Sequence, residues 1–205
     1  MIGIAGASGA GKTTLARKLK NALGEKVTLL SQDSYYKDLS HLTREERARF
    51  NFDDPDSLDF ELIEAHLKEL KKGNSIDIPL YNFVTSTRES GTERIESKPT
   101  IILEGCLIFA VPEVRRLCDM KLFVDADMDI CLCRRIERDQ NERGRKFPDI
   151  KRQYLKTVRP MYLKHIAPSK QFADLVIPNA NEDEIVLDFI SHHLSLMVSP
   201  KSLDN

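Results

Sequence analysis

Eight residues near the amino terminus, Gly6-Ala7-Ser8-Gly9-Ala10-Gly11-Lys12-Thr13, restrict the fold more than any other part of the chain. Their spacing is Gly-x-x-x-x-Gly-Lys-[Ser/Thr], the phosphate-binding loop. Glycines tolerate the positive φ that turns successive backbone N–H groups inward around phosphate oxygens. Lys12 then reaches the outer phosphates, the Thr13 hydroxyl is free for Mg²⁺, and Thr14 leads into a helix. The flanks agree with this. Met1-Ile2-Gly3-Ile4-Ala5 is an apolar run suited to a buried strand, and residues 14–23 place Leu15, Leu19 and Leu23 on one helical face. That helix points its N-terminus, with its partial positive charge, at the phosphates. Chance supplies the octet in about one chain in a hundred of this length, before its context is counted. The expected ligand is a nucleoside triphosphate, ATP, held by residues 6–14.

The 205 residues suit one domain with a substantial core. Further apolar runs, Val27-Thr28-Leu29-Leu30, Thr100-Ile101-Ile102-Leu103, Met120-Lys121-Leu122-Phe123-Val124 and Leu175-Val176-Ile177, read as buried strands. Helical periods over 57–72, 127–142, 150–164 and 182–197 separate or follow them. Strands alternating with helices predict an α/β P-loop NTPase fold, a five-stranded, mostly parallel sheet with helices on both faces. Residues 74–98 break this rhythm and read as a β-hairpin flap, and 134–149 as a helical arginine lid. Both belong to a single domain over 1–198, with a frayed tail over 199–205.

Lys and Arg number 31 against 32 Asp and Glu, so no global basic field points to nucleic acid. No run of membrane-spanning length and no leader pattern is present, and a cytoplasmic protein is expected. Cys106, Cys118, Cys131 and Cys133 lack metal-ligand spacing and read as reduced core thiols.

Other residues narrow the chemistry. There is no Asn-Lys-x-Asp guanine-reading motif and no Leu-Ser-Gly-Gly transporter signature. Asp33 follows Leu29-Leu30-Ser31-Gln32 and Glu104 follows Thr100-Ile101-Ile102-Leu103, so both acids stand at carboxyl ends of strands, where open α/β sheets bind ligands. A carboxylate at Asp33 can accept the proton of a hydroxyl, and one at Glu104 lies where an acid near Mg²⁺ is needed. The densest cationic stretch runs from Arg134 to Lys146. Arg135 and Arg138 share a helix face, and Arg143 and Arg145 flank Gly144, where the helix should break. Mobile arginines suit the charge that spreads over a transferring phosphoryl group. Interleaved Glu137, Asp139 and Glu142 allow the plainer alternative of an ion-paired surface helix.

In order along the chain, the octet, Leu30-Ser31-Gln32-Asp33-Ser34-Tyr35-Tyr36, Phe50-Asn51-Phe52-Asp53-Asp54-Pro55-Asp56, Ile78-Pro79-Leu80-Tyr81-Asn82-Phe83, Leu103-Glu104-Gly105 and Glu142-Arg143-Gly144-Arg145 resemble the uridine kinase family. The resemblance extends to about residue 195. It implies ATP-dependent phosphorylation of a ribonucleoside 5′-hydroxyl, with uridine or cytidine as acceptor. It makes Asp33 the general base and Thr13 and Glu104 the Mg²⁺-associated residues, with Asp33 assisting through water. It gives Asp53 the ribose 2′- and 3′-hydroxyls, which suits a carboxylate able to accept from two donors. Arg135 and Gln153 then lie near the ribose and its 5′ end, Arg138 and Arg143 act with Lys12 on the phosphates, and Arg145 lies near the base. Tyr81 and Phe83 become aromatics around the pyrimidine. Family members are often tetramers, so a homo-oligomer is expected by resemblance alone.

Three positions depart from the family pattern. Ser86 stands where a base-contacting histidine is usual, Asn82 where an aspartate is common, and Asp54 where a histidine often sits. Ser86 therefore keeps a second acceptor class open: a modified nucleoside, a sugar phosphate or a pantothenate-like alcohol. A third reading, a regulatory module without turnover, conflicts with the intact set of Lys12, Thr13, Asp33, Glu104 and Arg143.

Overall fold

The chain runs through β1 (Ile2–Gly6), α1 (Lys12–Leu23), β2 (Val27–Ser31), α2 (Arg44–Arg49) and α3 (Phe60–Lys71). A hairpin of β3 (Ile76–Asn82) and β4 (Thr87–Ile95) follows, then β5 (Thr100–Glu104), α4 (Pro112–Leu117) and β6 (Met120–Asp125). The last elements are α5 (Met128–Asn141), α6 (Phe147–Gln153) and β7 (Leu175–Pro178). The computed structural model describes residues 1–178 with Asp188, Ile190 and His192. Apart from those three positions, the helix expected over 182–197 and the tail lie outside the described residues.

The five expected strands form one sheet in the order β2-β5-β1-β6-β7, all pairs parallel. Alternate side chains enter two separate cores. Ile4, Ile102, Leu122 and Val124 pack with Leu15 and Leu19 of α1 on one face. Ala5, Leu103 and Phe123 pack with Ile63, Leu67 and Leu70 of α3 on the other. A sheet buried on both faces explains the nearly unbroken apolar runs. The connections leaving β1 and β5 diverge in opposite directions, so their adjacent carboxyl ends form a switch point, where such sheets bind ligands.

The boundaries differ from expectation where local chemistry decides them. Helix α1 begins at Lys12, two residues early, because Gly11 at φ 105 serves as its N-cap. Helix α6 begins at Phe147 inside the expected lid, since Pro148 suits a helical first turn. Its axis continues through widened π turns at Tyr154–Val158 and Tyr162–Ile166. Among the described residues no helix is long and apolar enough to cross a membrane. The cysteines are free, but only Cys118 and Cys131 are core residues; Cys133 is exposed and Cys106 is half-buried.

Candidate active site

The phosphate loop is closed by its own backbone and by its neighbours. The Ala10 N–H donates to Ala7 O at 3.1 Å, and the Leu15 N–H reaches Gly11 O at 2.9 Å. Gly9, at φ 86, lies so close to α5 that a Cβ would stand 2.3 Å from the Cys131 carbonyl oxygen. Lys12 is buried and donates from Nζ to Ala7 O at 2.9 Å. Burial alone would lower its pKa, but neighbouring Cys106, Glu104 and Asp33 outweigh this and hold the ammonium above its ordinary value.

Register then delivers the acids. Ser31 pairs with Glu104 across β2 and β5, and Ser31 Oγ donates to Glu104 Oε1 at 2.7 Å. Burial raises the Glu104 carboxyl, against the pull of Lys12 and the Ser31 and Thr13 hydroxyls. A tight turn over Gln32–Tyr35, capped by Ser31 Oγ accepting from the Asp33 N–H at 3.3 Å, sets Asp33 at the mouth of the loop. Gln32 beneath it is buried and accepts from the Leu107 N–H at 2.8 Å.

One cleft is lined by Ala7, Ser8, Lys12, Thr13, Asp33 and Glu104, by Asp53, Tyr81, Phe83 and Gln153, and by Arg135, Arg138, Arg143 and Arg145. Gly6, Gly9, Ala10, Gly11 and Thr14, also expected at the nucleotide, are not among its lining residues. Asp53 Oδ2 accepts from Thr157 Oγ at 2.7 Å. Burial raises the Asp53 carboxyl above the ordinary carboxylate range, against the opposing charge of Arg135. Gln153 Oε1 accepts from Arg135 Nη2 at 3.0 Å and from Arg145 Nη1 at 2.5 Å. Arg135 Nη1 also donates to Ser8 Oγ at 2.9 Å, tying α5 to the phosphate loop.

Aromatic rings build the far wall. Tyr81 stands 5.0 Å from Tyr36 and 5.2 Å from Phe83 between centroids, and Arg143 lies 4.5 Å over the Phe83 ring. Burial pushes the Tyr81 phenol up to about 12, so it remains a neutral donor. Arg88 pins this wall, donating from Nε to Tyr36 O at 2.8 Å and pairing with Asp59 at 3.3 Å.

Sequence reading missed Tyr36, Phe52, Cys106, Tyr154 and Tyr162, all of which line the cleft. Tyr154, Val158, Tyr162 and Ile166 recur every fourth residue on the stretch with widened turns, a stripe visible in the sequence. It also missed Asp139, which has no exposed side-chain surface and sits within an ion pair's reach of Arg135, Arg138, Arg143 and Arg145. The signal was present, since Cys131, Arg135 and Asp139 form the buried stripe of α5 at intervals of four. Among the described residues no histidine lines the cleft, and His66 instead bonds Tyr35 Oη at 3.0 Å.

A phosphate-binding loop that lines one cleft with strand-end carboxylates and a row of arginines is the arrangement of a P-loop phosphotransferase. The chain belongs to the phosphoribulokinase / uridine kinase family, whose model matches residues 1–186. The uridine kinase of Salmonella typhimurium (strain LT2) is 46% identical over 200 residues, covering 95% of this chain and 94% of that protein. More distant solved structures share the fold. The phosphoribulokinase of Rhodobacter spheroides matches with TM-score 0.64 at 15% identity, over 87% of this chain and 69% of that one. The D-glycerate 3-kinase of Cryptococcus neoformans matches with TM-score 0.64 at 14% identity, over 89% and 87%.

Proposed function

We propose that this protein transfers the γ-phosphoryl group of ATP to the 5′-hydroxyl of uridine or cytidine. The observation that supports the reading is that Asp33, Asp53 and the phosphate loop line one cleft, in a chain 46% identical to uridine kinases. Asp53 accepts from both hydroxyls of a ribose diol and turns the 5′-hydroxyl toward Asp33. Asp33 orients that hydroxyl and takes its proton as the new P–O bond forms. Lys12 exchanges its bond to Ala7 O for the phosphates, and Arg135, Arg138 and Arg143 neutralise the charge that develops on the moving group. Tyr36, Tyr81 and Phe83 hold the base and exclude water.

Among the described residues no group of three or more His, Cys, Asp or Glu could hold a metal ion. Thr13 and Glu104 nevertheless fit Mg²⁺, which takes one or two protein oxygens and completes its shell with waters and phosphates. That ion would supply charge neutralisation at the phosphates.

A specific observation favours a second acceptor class. Past Phe83 and Ser86 the cleft opens into a groove lined by Arg44, Arg47, Arg49, Lys146, Arg152 and Lys156, with Glu45 and Asp149 as its acids. Such a wall suits an acceptor that carries an anion, such as a sugar phosphate. A panel of ribonucleosides and phosphorylated sugars, with ATP consumption and product mass as readouts, decides between the two. Turnover of uridine or cytidine above all others is expected; turnover of neither, or only of phosphorylated sugars, refutes the first reading. Asp33→Asn should abolish turnover while an ATP analogue still binds, and near-normal turnover would remove Asp33 as the base.

A further inference from the structure

Four arginines crowd one acid. Asp139 has no exposed side-chain surface, and Arg135 Nε, Arg138 Nη2, Arg143 Nη1 and Arg145 Nη1 lie 3.7, 2.8, 3.6 and 3.3 Å from its oxygens. Helix register supplies the first two, because Arg135 stands one turn before Asp139 and Arg138 beside it. The turn at Gly144, φ 61, supplies the others by folding Arg143 and Arg145 back over the helix end. The Arg145 N–H completes that turn by donating to the Asp139 carbonyl at 3.0 Å. All four guanidinium groups line the cleft, whereas Asp139 does not. Arg135 Nε is buried without a hydrogen-bond partner, so charge rather than a hydrogen bond holds that edge to Asp139.

One carboxylate facing four cations leaves a formal surplus of three positive charges on the wall. That surplus is too large for a group meant only to neutralise its neighbours, and Arg135 carries part of it to the phosphate loop, donating from Nη1 to Ser8 Oγ at 2.9 Å. The geometry points to Asp139 as a positioning residue for phosphoryl transfer: it clamps the four arginines on the cleft wall before nucleotide arrives, leaving their unspent charge for the phosphoryl group in transit. This rests on the phosphotransfer reading and not on which alcohol is the acceptor.

Two plainer roles make different predictions. An acid that merely competed with phosphates would, on removal, give tighter nucleotide binding and equal or faster turnover. An acid that merely braced α5 would, on removal, weaken nucleotide binding and turnover together. A clamp separates the two quantities. Asparagine at 139 keeps the shape and loses the charge, so the arginines repel one another and their shared aim is lost, while the wall becomes more positive. Nucleotide binding then holds or tightens, and kcat falls by about 10²-fold, the cost of displacing catalytic groups by about 1 Å.

The experiment compares intact wild type, Asp139→Asn and Asp139→Glu. Measured are kcat and KM with ATP and whichever alcohol the wild type phosphorylates in the panel, and Kd for a non-hydrolysable ATP analogue by calorimetry. For Asp139→Asn a kcat loss of about 10²-fold is expected with analogue Kd unchanged or lower, and Asp139→Glu should regain at least about tenfold of it. Three results would each overturn the clamp: near-wild-type kcat in Asp139→Asn, a tenfold weaker analogue Kd in that variant, or a glutamate variant no better than it. The wild type alone supplies a further test, independent of turnover and of how the variants fold. Arg138 Nε donates to Asp139 Oδ1 at 3.1 Å, so its N–H should exchange slowly with solvent in NMR spectra of the nucleotide-free protein. Fast exchange there refutes the clamp, whereas a wild type inactive on every alcohol refutes only the functional reading.

Discussion

Replacing Gly105 by alanine probes how the two strand-end acids are held together. An alanine Cβ at this position would stand 2.4 Å from Gln32 Cβ and 2.5 Å from Gln32 Oε1, about 1 Å short of ordinary contact. Gln32 is 1% exposed and its Oε1 accepts from the Leu107 N–H at 2.8 Å, so neither its root nor its tip has room to retreat. The backbone must give way, and the next residue along it is Asp33. Overpacking of this kind costs about 1–3 kcal/mol, and leaving the buried Leu107 N–H unpaired adds about 1–3 kcal/mol. At roughly 2–4 °C per kcal/mol for a chain of this size, even the lower total of about 2 kcal/mol moves Tm by about 4 °C or more. The effect on turnover should be larger if Asp33 is the proposed proton acceptor, since a shift of about 1 Å there costs about 10²-fold in kcat. Thermal melting by circular dichroism and steady-state kinetics read both. A variant that melts within about 2 °C of wild type and keeps kcat within about threefold would refute the packing argument, because the required displacement would then have cost nothing.

Two further outcomes concern the acceptor end. Arg88→Ala removes the bond to Tyr36 O and the pairing with Asp59, unpinning the aromatic wall. KM for the acceptor should rise about tenfold, within the range for hydrogen bonds from charged donors, while ATP-analogue affinity stays unchanged; an equal loss of both would place Arg88 in the general scaffold instead. For pH, burial holds the Asp53 carboxyl above the ordinary carboxylate range, and the ionised form is the one able to accept from both diol hydroxyls. As pH falls through that raised value the carboxylate is protonated and acceptor KM rises, at a higher pH than an exposed aspartate would give. Asp53→Asn should raise KM at all pH values and flatten the profile, and a variant that keeps the wild-type slope would assign the titration to another group.

The fold was legible because its signals are periodic. The central strands β1 and β5 lie buried on both faces and read as apolar runs, the edge strand β7 is apolar although Leu175 and Val176 stay exposed, and α1, α3 and α5 carry full amphipathic stripes. Helices α2 and α4, six residues each, are too short to show a period; a capping box at Thr43 and Glu46 stabilises one, and Pro112 starts the other. The phosphate loop was legible for a different reason: a P-loop depends on backbone geometry, and that forces residue identity at fixed spacing. Asp139 was hidden because interleaved charges look alike in sequence. Glu137, Asp139 and Glu142 differ only in which way the helix faces, and Asp139 alone shares the buried stripe with Cys131 and Arg135.

The three departures from the family pattern are not equivalent once their contacts are known. Asn82 builds the hairpin tip, its Oδ1 accepting from Val84 N–H at 2.9 Å and Thr85 N–H at 3.1 Å, while its Nδ2 donates to Glu89 at 2.9 Å. An aspartate could make the first two bonds but would repel Glu89, so the amide is explained within the hairpin. Asp54 caps the turn over Pro55–Ser57 by accepting from the Asp56 N–H at 3.0 Å, a role set by local chain direction and not by a ligand. Ser86 is tied to the cleft wall, its hydroxyl donating to the Tyr81 phenol oxygen. It closes the tip in the left-handed region at φ 57, where the Ser86 N–H donates to Asn82 O at 2.8 Å, a conformation that asparagine or glycine would adopt more readily. A serine held there against its conformational preference lines the cleft beside Tyr81.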